Sequence, residues 1–322
     1  MKKILAGVLA AMMVLGLAAC GGESDKGKDA QYTIGVCQLV EHPALDTATQ
    51  GFIDAVNEKL GAENVKVDVK LAQGESNNCT TIINNFVSSN VDLIMANATA
   101  ALQAAVSGTD TIPILGTSIT EYGVALKLDD FNGTIGGNVS GTSDLAPLDG
   151  QAAMVKEVFP NAKKVGLVYC SGEPNSQYQI DVMTEELTKL GYECTSYSFA
   201  DSNDIATVVT SAASNSDLIY IPTDNTAANN TGIIDNICRP AKVPVVAGEE
   251  GICSGCGTVT LSISYYDIGY QTGVMAAEIL ADGADISTMP IAYAQEATKK
   301  YNAEICEELG ITVPDGYTAI EK

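Results

Sequence analysis

The chain reads as an α/β protein built from two doubly wound parallel-sheet lobes, and three observations lead there. Short apolar strands alternate with amphipathic helices from residue 32 onward. The alternation runs through once and then repeats at a nearly constant offset. No apolar stretch beyond the first twenty residues reaches membrane-spanning length, so these segments must bury against one another.

The first pass begins with a strand over Tyr32 to Gln38 and a helix over Leu45 to Leu60. In that helix Ala48, Phe52, Ala55, Val56 and Leu60 fall at helical spacing, and Gly61 stops it. A strand is expected over Val65 to Leu71, a helix over Thr80 to Ser88, and a strand over Val91 to Ala96. A helix over Ala100 to Val106 and a strand over Ile112 to Leu115 complete the unit. The second pass has strands at Lys164 to Tyr169, Glu193 to Phe199, Leu218 to Pro222 and Val243 to Ala247. Helices at Gln177 to Leu190, Ile205 to Ala213 and Ala227 to Cys238 connect them. Landmarks recur in step: Gly35 to Gly166 and Pro113 to Pro244 are each 131 residues apart. Gly61 to Gly191 is 130 and Asp92 to Asp217 is 125. Generic βα spacing could produce one such match, but four in order indicate an architectural repeat.

The first twenty residues form an export leader. Lys2 and Lys3 precede an apolar run from Ile4 to Leu15, closed by Leu17-Ala18-Ala19-Cys20. Small residues immediately before a cysteine make the pattern of a bacterial lipoprotein signal, with Cys20 the lipidated N-terminus after cleavage. An ordinary secretory leader with an incidental cysteine is the alternative. Residues 21–31 are small and polar and read as a flexible tether. The 303 residues from Cys20 onward hold 15 lysines plus arginines against 40 acids, a net charge of −25. Such a surface repels nucleic acid and anionic membrane faces. Attachment to the membrane therefore falls to the lipid on Cys20.

Chemistry-bearing motifs are few. There is no GxxxxGK[ST] or GxGxxG loop, and His42 is the sole histidine. Nothing in the sequence calls for a cofactor. Cys253-Ser254-Gly255-Cys256 stands alone without a second CxxC, which argues against zinc and for a structural, Gly-rich loop, bridged or not. An enzyme using Asp224 and Glu250 as paired carboxyls is formally open.

Doubly wound units bind ligands beyond the carboxyl ends of their strands, so two lobes place the natural site in the cleft between them. The loops there are rich in Ser, Thr, Asn and carboxylates, which suit a small polar solute. Gln38 and His42 follow the first strand. For an amino-acid ligand, helix N-termini at Thr99-Ala100 and Asn175-Ser176, with the Ser118 hydroxyl, could hold the carboxylate. Simple helix capping is the competing role for each. Asp224, Glu249 or Glu250 could hold the ammonium. Asp144 is expected to organise the hinge or cap a helix, and Arg239, the sole arginine, to be a surface charge. Trp is absent and Phe scarce, so an aromatic partner would be a tyrosine; Tyr122, Tyr178 and Tyr266 are the candidates.

Several segments together resemble the solute-binding lipoproteins of ABC transporters, in the tryptophan/tyrosine-type group. They are Gln38-Leu39-Val40-Glu41-His42-Pro43-Ala44-Leu45-Asp46 with Gly51-Phe52, and Gly141-Thr142-Ser143-Asp144. Ile221-Pro222-Thr223-Asp224-Asn225, Gly248-Glu249-Glu250 and Ser264-Tyr265-Tyr266-Asp267-Ile268-Gly269 complete the set. The resemblance covers Tyr32 to the C-terminus and implies a periplasmic-binding-protein type I fold with three hinge crossings. It places lobe 1 at residues 32–143 and 262–286, and lobe 2 at residues 144–261 and 287–322, with the third crossing near Thr288. It also implies an exported, lipid-anchored protein that captures an aromatic amino acid and hands it to a permease and its ATPase. An aliphatic amino acid, a sugar or a nucleobase is the alternative ligand class, and docking to a sensor the alternative role.

Overall fold

The computed structural model describes residues 30–321. The leader, Cys20 and residues 21–29 of the tether lie outside the described residues. Among the described residues, no helix is long and apolar enough to cross a membrane.

The chain starts with β1 (Tyr32–Gln38), α1 (Pro43–Leu60), β2 (Val65–Leu71), α2 (Ser76–Ser88) and β3 (Leu93–Asn97). α3 (Thr99–Gly108), β4 (Ile114–Ile119), α4 (Tyr122–Leu126) and β5 (Val139–Ser143) follow. The second lobe contains α5 (Leu148–Val158), β6 (Lys164–Cys170), α6 (Pro174–Lys189), β7 (Glu193–Phe199), α7 (Ile205–Asn215) and β8 (Leu218–Ile221). It continues through α8 (Asn225–Ala228), α9 (Thr231–Ala241), β9 (Val245–Ala247), α10 (Glu250–Cys256) and β10 (Val259–Ser262). The chain then returns to the first lobe with α11 (Tyr265–Leu280), a 3-10 turn at Ile286–Thr288 and β11 (Ala292–Tyr293). It ends in the second with β12 (Thr298–Tyr301), α12 (Ala303–Leu309) and β13 (Thr318–Ala319).

Two sheets result, ordered β11-β5-β4-β3-β1-β2 and β13-β12-β10-β9-β8-β6-β7. Their shared core, 2-1-3-4-5 and 7-6-8-9-10, is the doubly wound order with a switch point between the first and third strands. All pairings in that core are parallel; β12 runs antiparallel to β10. The landmarks of the sequence repeat do equivalent work. Asp92 accepts the Thr33 N–H at 2.7 Å, and Asp217 accepts those of Lys163 and Lys164 at 2.7 and 2.9 Å. The carbonyls of Pro113 and Pro244 each accept, at 2.9 Å, from the second residue of the neighbouring strand. Gly61 and Gly191 both take positive φ, +84° and +92°, in the turn behind a helix.

The third crossing differs from expectation. β11 pairs with β5 of the first sheet through Ala292–Thr142 and Tyr293–Ser143, so the chain passes over at residues 294–297 rather than near Thr288. Two residues are too short a strand to declare themselves by alternation. β4 also runs four residues beyond Leu115, because Gly-Thr-Ser is fully buried against neighbouring strands rather than apolar. The cysteine pair lies on α10, not in a loop, since Glu249 caps that helix and its apolar face, Ile252, Cys253 and Cys256, is buried. The described cysteines are free thiols. Burial pushes Cys253 and Cys256 up, which makes poor nucleophiles of them.

Each sheet carries apolar cores on both faces. Phe52, Leu93 and Met95 lie on one side of the first sheet, and Ile83, Phe86 and Leu102 on the other. Phe199, Val209 and Ile234 flank the second sheet on one side, and Leu167, Met183 and Tyr220 on the other. A small cluster of Ala44, Ala48, Ala146, Ile263, Tyr265 and Ile268 joins the lobes at the hinge.

Candidate functional site

The carboxyl ends of the two sheets face each other, and the loops beyond them meet. Two interlobe hydrogen bonds bridge the cleft: His42 Nε2 to Asn225 Oδ1 at 3.2 Å and Thr120 Oγ1 to Thr223 Oγ1 at 3.4 Å. Between them lies a small cavity of about 10 Å³. It is lined by His42, Leu45, Ser118, Thr120, Asp144 and Tyr265 from the first lobe and the crossings. Asn175, Thr223, Asp224, Asn225, Ala228 and Glu249 line it from the second. A groove of about 510 Å³ adjoins it, sharing Ala228, Glu249 and Tyr265 and bordered by Pro43, Ala44 and Ile263.

Three carboxyls close on the small cavity, which no lysine or arginine lines, while Glu250 and Lys300 line the adjoining groove. Asp224 sits at the start of α8. Its Oδ1 accepts the Ala227 N–H at 2.8 Å and its Oδ2 the Cys170 N–H at 2.7 Å. Glu249 caps α10 by accepting the N–H groups of Gly251 and Ile252. Burial nevertheless pushes both up to about 7, with the Glu173 charge adding to the effect at Asp224. Asp144 follows β5. Its Oδ2 accepts the Tyr265 hydroxyl at 2.8 Å, while Oδ1 has no hydrogen-bond partner. Burial raises Asp144 as well, against the lowering effect of the Tyr265 and Thr120 hydroxyls.

Buried side-chain atoms without a partner are rare in folded proteins. Among the described residues there are five, and three of them line this cavity: His42 Nδ1, Ser118 Oγ and Asp144 Oδ1. Ser118 also holds a positive φ of +55°, an unfavourable conformation for a residue with a Cβ. Unsatisfied acceptors, excess negative charge and backbone strain converge at one place.

Of the residues singled out from sequence, His42, Ser118, Asn175, Asp224 and Glu249 are brought together here. Gln38, Thr99, Ala100, Ser176 and Glu250 are not among its lining residues. Gln38 is spent inside lobe 1, donating to Val40 O at 2.9 Å and Asp46 Oδ1 at 2.6 Å while accepting from Thr49. Thr99 is buried at the start of α3, and Ala100 borders a separate groove between Leu39 and Glu173. Ser176 is buried beneath Asn175. Glu250 pairs instead with Lys300 at 2.5 Å, and both line the adjoining groove.

Thr120, Thr223 and Asn225 lie in the strand-end loops expected to form the site, though none was singled out there. Tyr265 was not expected in it, and Asp144, expected to organise the hinge, bonds Tyr265 there as well as lining the cavity. Tyr265 lines the cavity; its neighbour Tyr266 borders the adjoining groove and donates its hydroxyl to Asp54 at 3.0 Å. Tyr122 is buried behind β4 and β5, donating to Thr142 O. The signal for Asp144 was present, a carboxylate in a hinge segment among Thr and Ser, but an acid after a strand is also the ordinary start of a helix.

Comparison with known proteins identifies the chain's kin. The family model of ABC transporter substrate binding proteins matches residues 33–320. The chain belongs to this family. A tyrosine-binding protein of Clostridioides difficile is 34% identical over 317 residues, spanning 95% of this chain and 90% of that protein. The Streptococcus pneumoniae ABC domain in complex with L-Trp superposes with a TM-score of 0.86 at 30% identity, covering 90% of this chain and all of that one. A ligand-free, open substrate-binding protein from Clostridium difficile gives 0.69 at 34% identity, covering 90% and 99%. The more distant of these two sequences is the closer structure. In this substrate-binding protein two hydrogen bonds join the lobes across the cleft. Proteins of this family bind solutes outside the cytoplasm rather than transform them.

Proposed function

We propose that this protein captures an aromatic amino acid between its lobes and delivers it to an ABC permease and its ATPase, held at the membrane by a lipid on Cys20. The carrying observation is the cavity itself. Asp144, Asp224, Glu249 and a buried histidine surround it without a cationic side chain, so charge balance calls for a positive group from the ligand. A primary ammonium fits, with Asp144 Oδ1 as its acceptor. Asp224 and Glu249 contribute field rather than contact, because backbone N–H groups already occupy their oxygens. With no arginine available, the ligand carboxylate falls to the Ser118, Thr120 and Thr223 hydroxyls. The aromatic assignment rests on the relatives, one named for tyrosine and one solved with L-Trp. A ring finds room in the adjoining groove of about 510 Å³.

The lobes must part to admit such a ligand, and closure around it is the signal a permease can read. Thermal shift and calorimetry on the exported chain, residues 20–322, test the reading. The panel holds tryptophan, tyrosine, phenylalanine, aliphatic amino acids, sugars and nucleobases. A ligand at 100 times its Kd adds about 2.7 kcal/mol of stability. Stabilisation by aromatic amino acids is the expected result; stabilisation by sugars or nucleobases alone would sink the assignment.

A further inference from the structure

His42 is the sole histidine of the chain, and its ring lies between the lobes with 7% exposure. Its Nε2 meets Asn225 Oδ1 at 3.2 Å and its Nδ1 has no partner. An imidazole beside an amide leaves two questions open: which amide atom faces the ring, and which ring nitrogen carries the proton. Glu173, immediately before α6, answers both.

The Glu173 carboxylate accepts from the Asn225 backbone N–H at 3.0 Å and from Asn225 Nδ2 at 2.7 Å, both through Oε2. Its Oε1 takes the Thr226 N–H and hydroxyl, each at 2.8 Å, and Asn175 Nδ2 stands 3.2 Å from Oε2. An oxygen set that gathers five donors acts purely as an acceptor. The amide atom of Asn225 at 2.7 Å must therefore be nitrogen, and the atom facing His42 must be oxygen. That oxygen can only accept, so Nε2 must carry the hydrogen. In the neutral ring Nδ1 is then a bare lone pair in a cavity lined by carboxyls.

We propose that Glu173, acting through Asn225, holds His42 in the Nε2–H tautomer, so that Nδ1 becomes a fixed acceptor for an N–H or O–H of the ligand. The proposal rests on the reading of the cleft as an amino-acid site and names a positioning residue that does not line it. It also makes the tautomer conditional on closure, because Glu173 and Asn225 belong to the second lobe and His42 to the first. Burial favours the neutral ring, while the Asp46 and Glu173 charges and the Asn225 contact favour the imidazolium.

A single histidine makes the state directly visible. Nitrogen-15 spectra of histidine-labelled full-length exported chain, recorded near pH 7.5 with saturating L-tryptophan or L-tyrosine, report which ring nitrogen is protonated. The wild type should show one tautomer, Nε2–H, with the Nδ1 resonance moving when the ligand is added. In Glu173→Gln the new amide can donate as well as accept, the Asn225 amide is free to turn, and the two tautomers should mix. Affinity should fall about tenfold, and the melting temperature of the ligand-free protein should fall as well, because the amide cannot accept from all the donors that the carboxylate holds. Asn225→Ala, which removes the acceptor without touching the Glu173 contacts to Thr226, should mix the tautomers in the same way. An Nδ1–H or imidazolium ring in the liganded wild type overturns the proposal. So does a pure Nε2–H ring with unchanged Kd in both variants. If no amino acid binds the wild type, the functional reading itself falls; if amino acids bind and the variants behave as wild type, the positioning role alone falls.

Discussion

The two lobes share a scaffold yet meet the cleft with opposite chemistry. Asp92 and Asp217, Pro113 and Pro244, Gly61 and Gly191 do matched jobs at the far ends of the two sheets. At the near ends the match stops. The second lobe commits its carboxylates to its own backbone: Asp224 caps α8 and Glu249 caps α10, each with both oxygens engaged. The first lobe and the crossing that leaves it present three buried polar atoms with nothing to bond, His42 Nδ1, Ser118 Oγ and Asp144 Oδ1. Similar residue types therefore serve different ends. Second-lobe acids are spent on their own backbone, and the first-side groups keep open hydrogen-bonding positions, the ones that the proposed ligand would fill.

The sharpest way to break this contrast is to neutralise one acid on each side. Asp144→Asn removes the unpaired carboxyl oxygen of the cavity and should weaken amino-acid binding about 30- to 100-fold by calorimetry, with stability held or raised. Asp224→Asn should do the reverse. It puts an amide where two backbone N–H groups need acceptors, costs about 1–3 kcal/mol of stability and leaves Kd within about threefold. Equal losses of affinity from the two variants would erase the distinction.

The lobes also differ in how their returning segments are held. α11 lies against α1 so closely that a Cβ on Gly269 would stand 2.0 Å from the Ala48 carbonyl oxygen, and one on Gly51 would stand 2.2 Å from that of Tyr266. The second lobe is instead extended by short strands, β12 and β13, at its sheet edge. Gly269→Ala should force the helices apart and cost about 1–3 kcal/mol in chemical denaturation. Gly310, behind α12 and with open space around it, has a positive φ of +68° but no such contact. Substitution there should cost less.

The acids add a pH dependence whose sign follows from burial. Asp224 and Glu249 sit near 7 in the closed form and near 4 when unfolded. Groups raised in this way hold extra protons in the folded state. Their contribution is complete below about 4 and is lost as pH rises through about 7. The ligand-free protein should therefore lose a few degrees of melting temperature between pH 5 and pH 8 from this source, and Glu249→Gln should flatten the slope. A bound ammonium should flatten it too, by replacing the protons. A ligand-free slope of the opposite sign in the wild type, unchanged in Glu249→Gln, would refute the account.

How far the sequence carried the description follows the same divide. The scaffold was legible because period and punctuation are local: Phe52, Ala55 and Val56 mark a helix whatever they pack against, and Gly61 ends it. The repeat was legible because the landmarks recur in order. Half of the expected site residues reached the cavity, since the loops after strands could be listed from the fold rule alone. What stayed hidden depends on direction. Tyr265 and Tyr266 are indistinguishable in sequence, yet one donates to Asp144 and the other to Asp54. Glu249 and Glu250 divide in the same manner, one into the cleft and one to Lys300. Asp144 was expected at the hinge, where its Oδ2 bonds Tyr265; that its Oδ1 is left unpaired is a property of three-dimensional surroundings that no local pattern shows.

Arg239 gives the smallest expected effect and the cleanest control. With one relative named for tyrosine and another solved with L-Trp, a sole arginine invites the role of carboxylate clamp. The structure puts it on α9 of the second lobe, away from the cleft, bonded to Asp235 at 2.9 Å, Glu304 at 3.1 Å and Glu308 at 3.2 Å. Its partners on α12 are half exposed, so solvent screens the attraction. Arg239→Gln should cost no more than about 1 kcal/mol of stability and leave affinity within about twofold. If neutral hydroxyls alone hold the ligand carboxylate, as proposed, the affinity of the wild type should respond weakly to salt. A tenfold loss of binding in Arg239→Gln would return the carboxylate to a charged clamp and reverse the assignment of polar ends across the cleft.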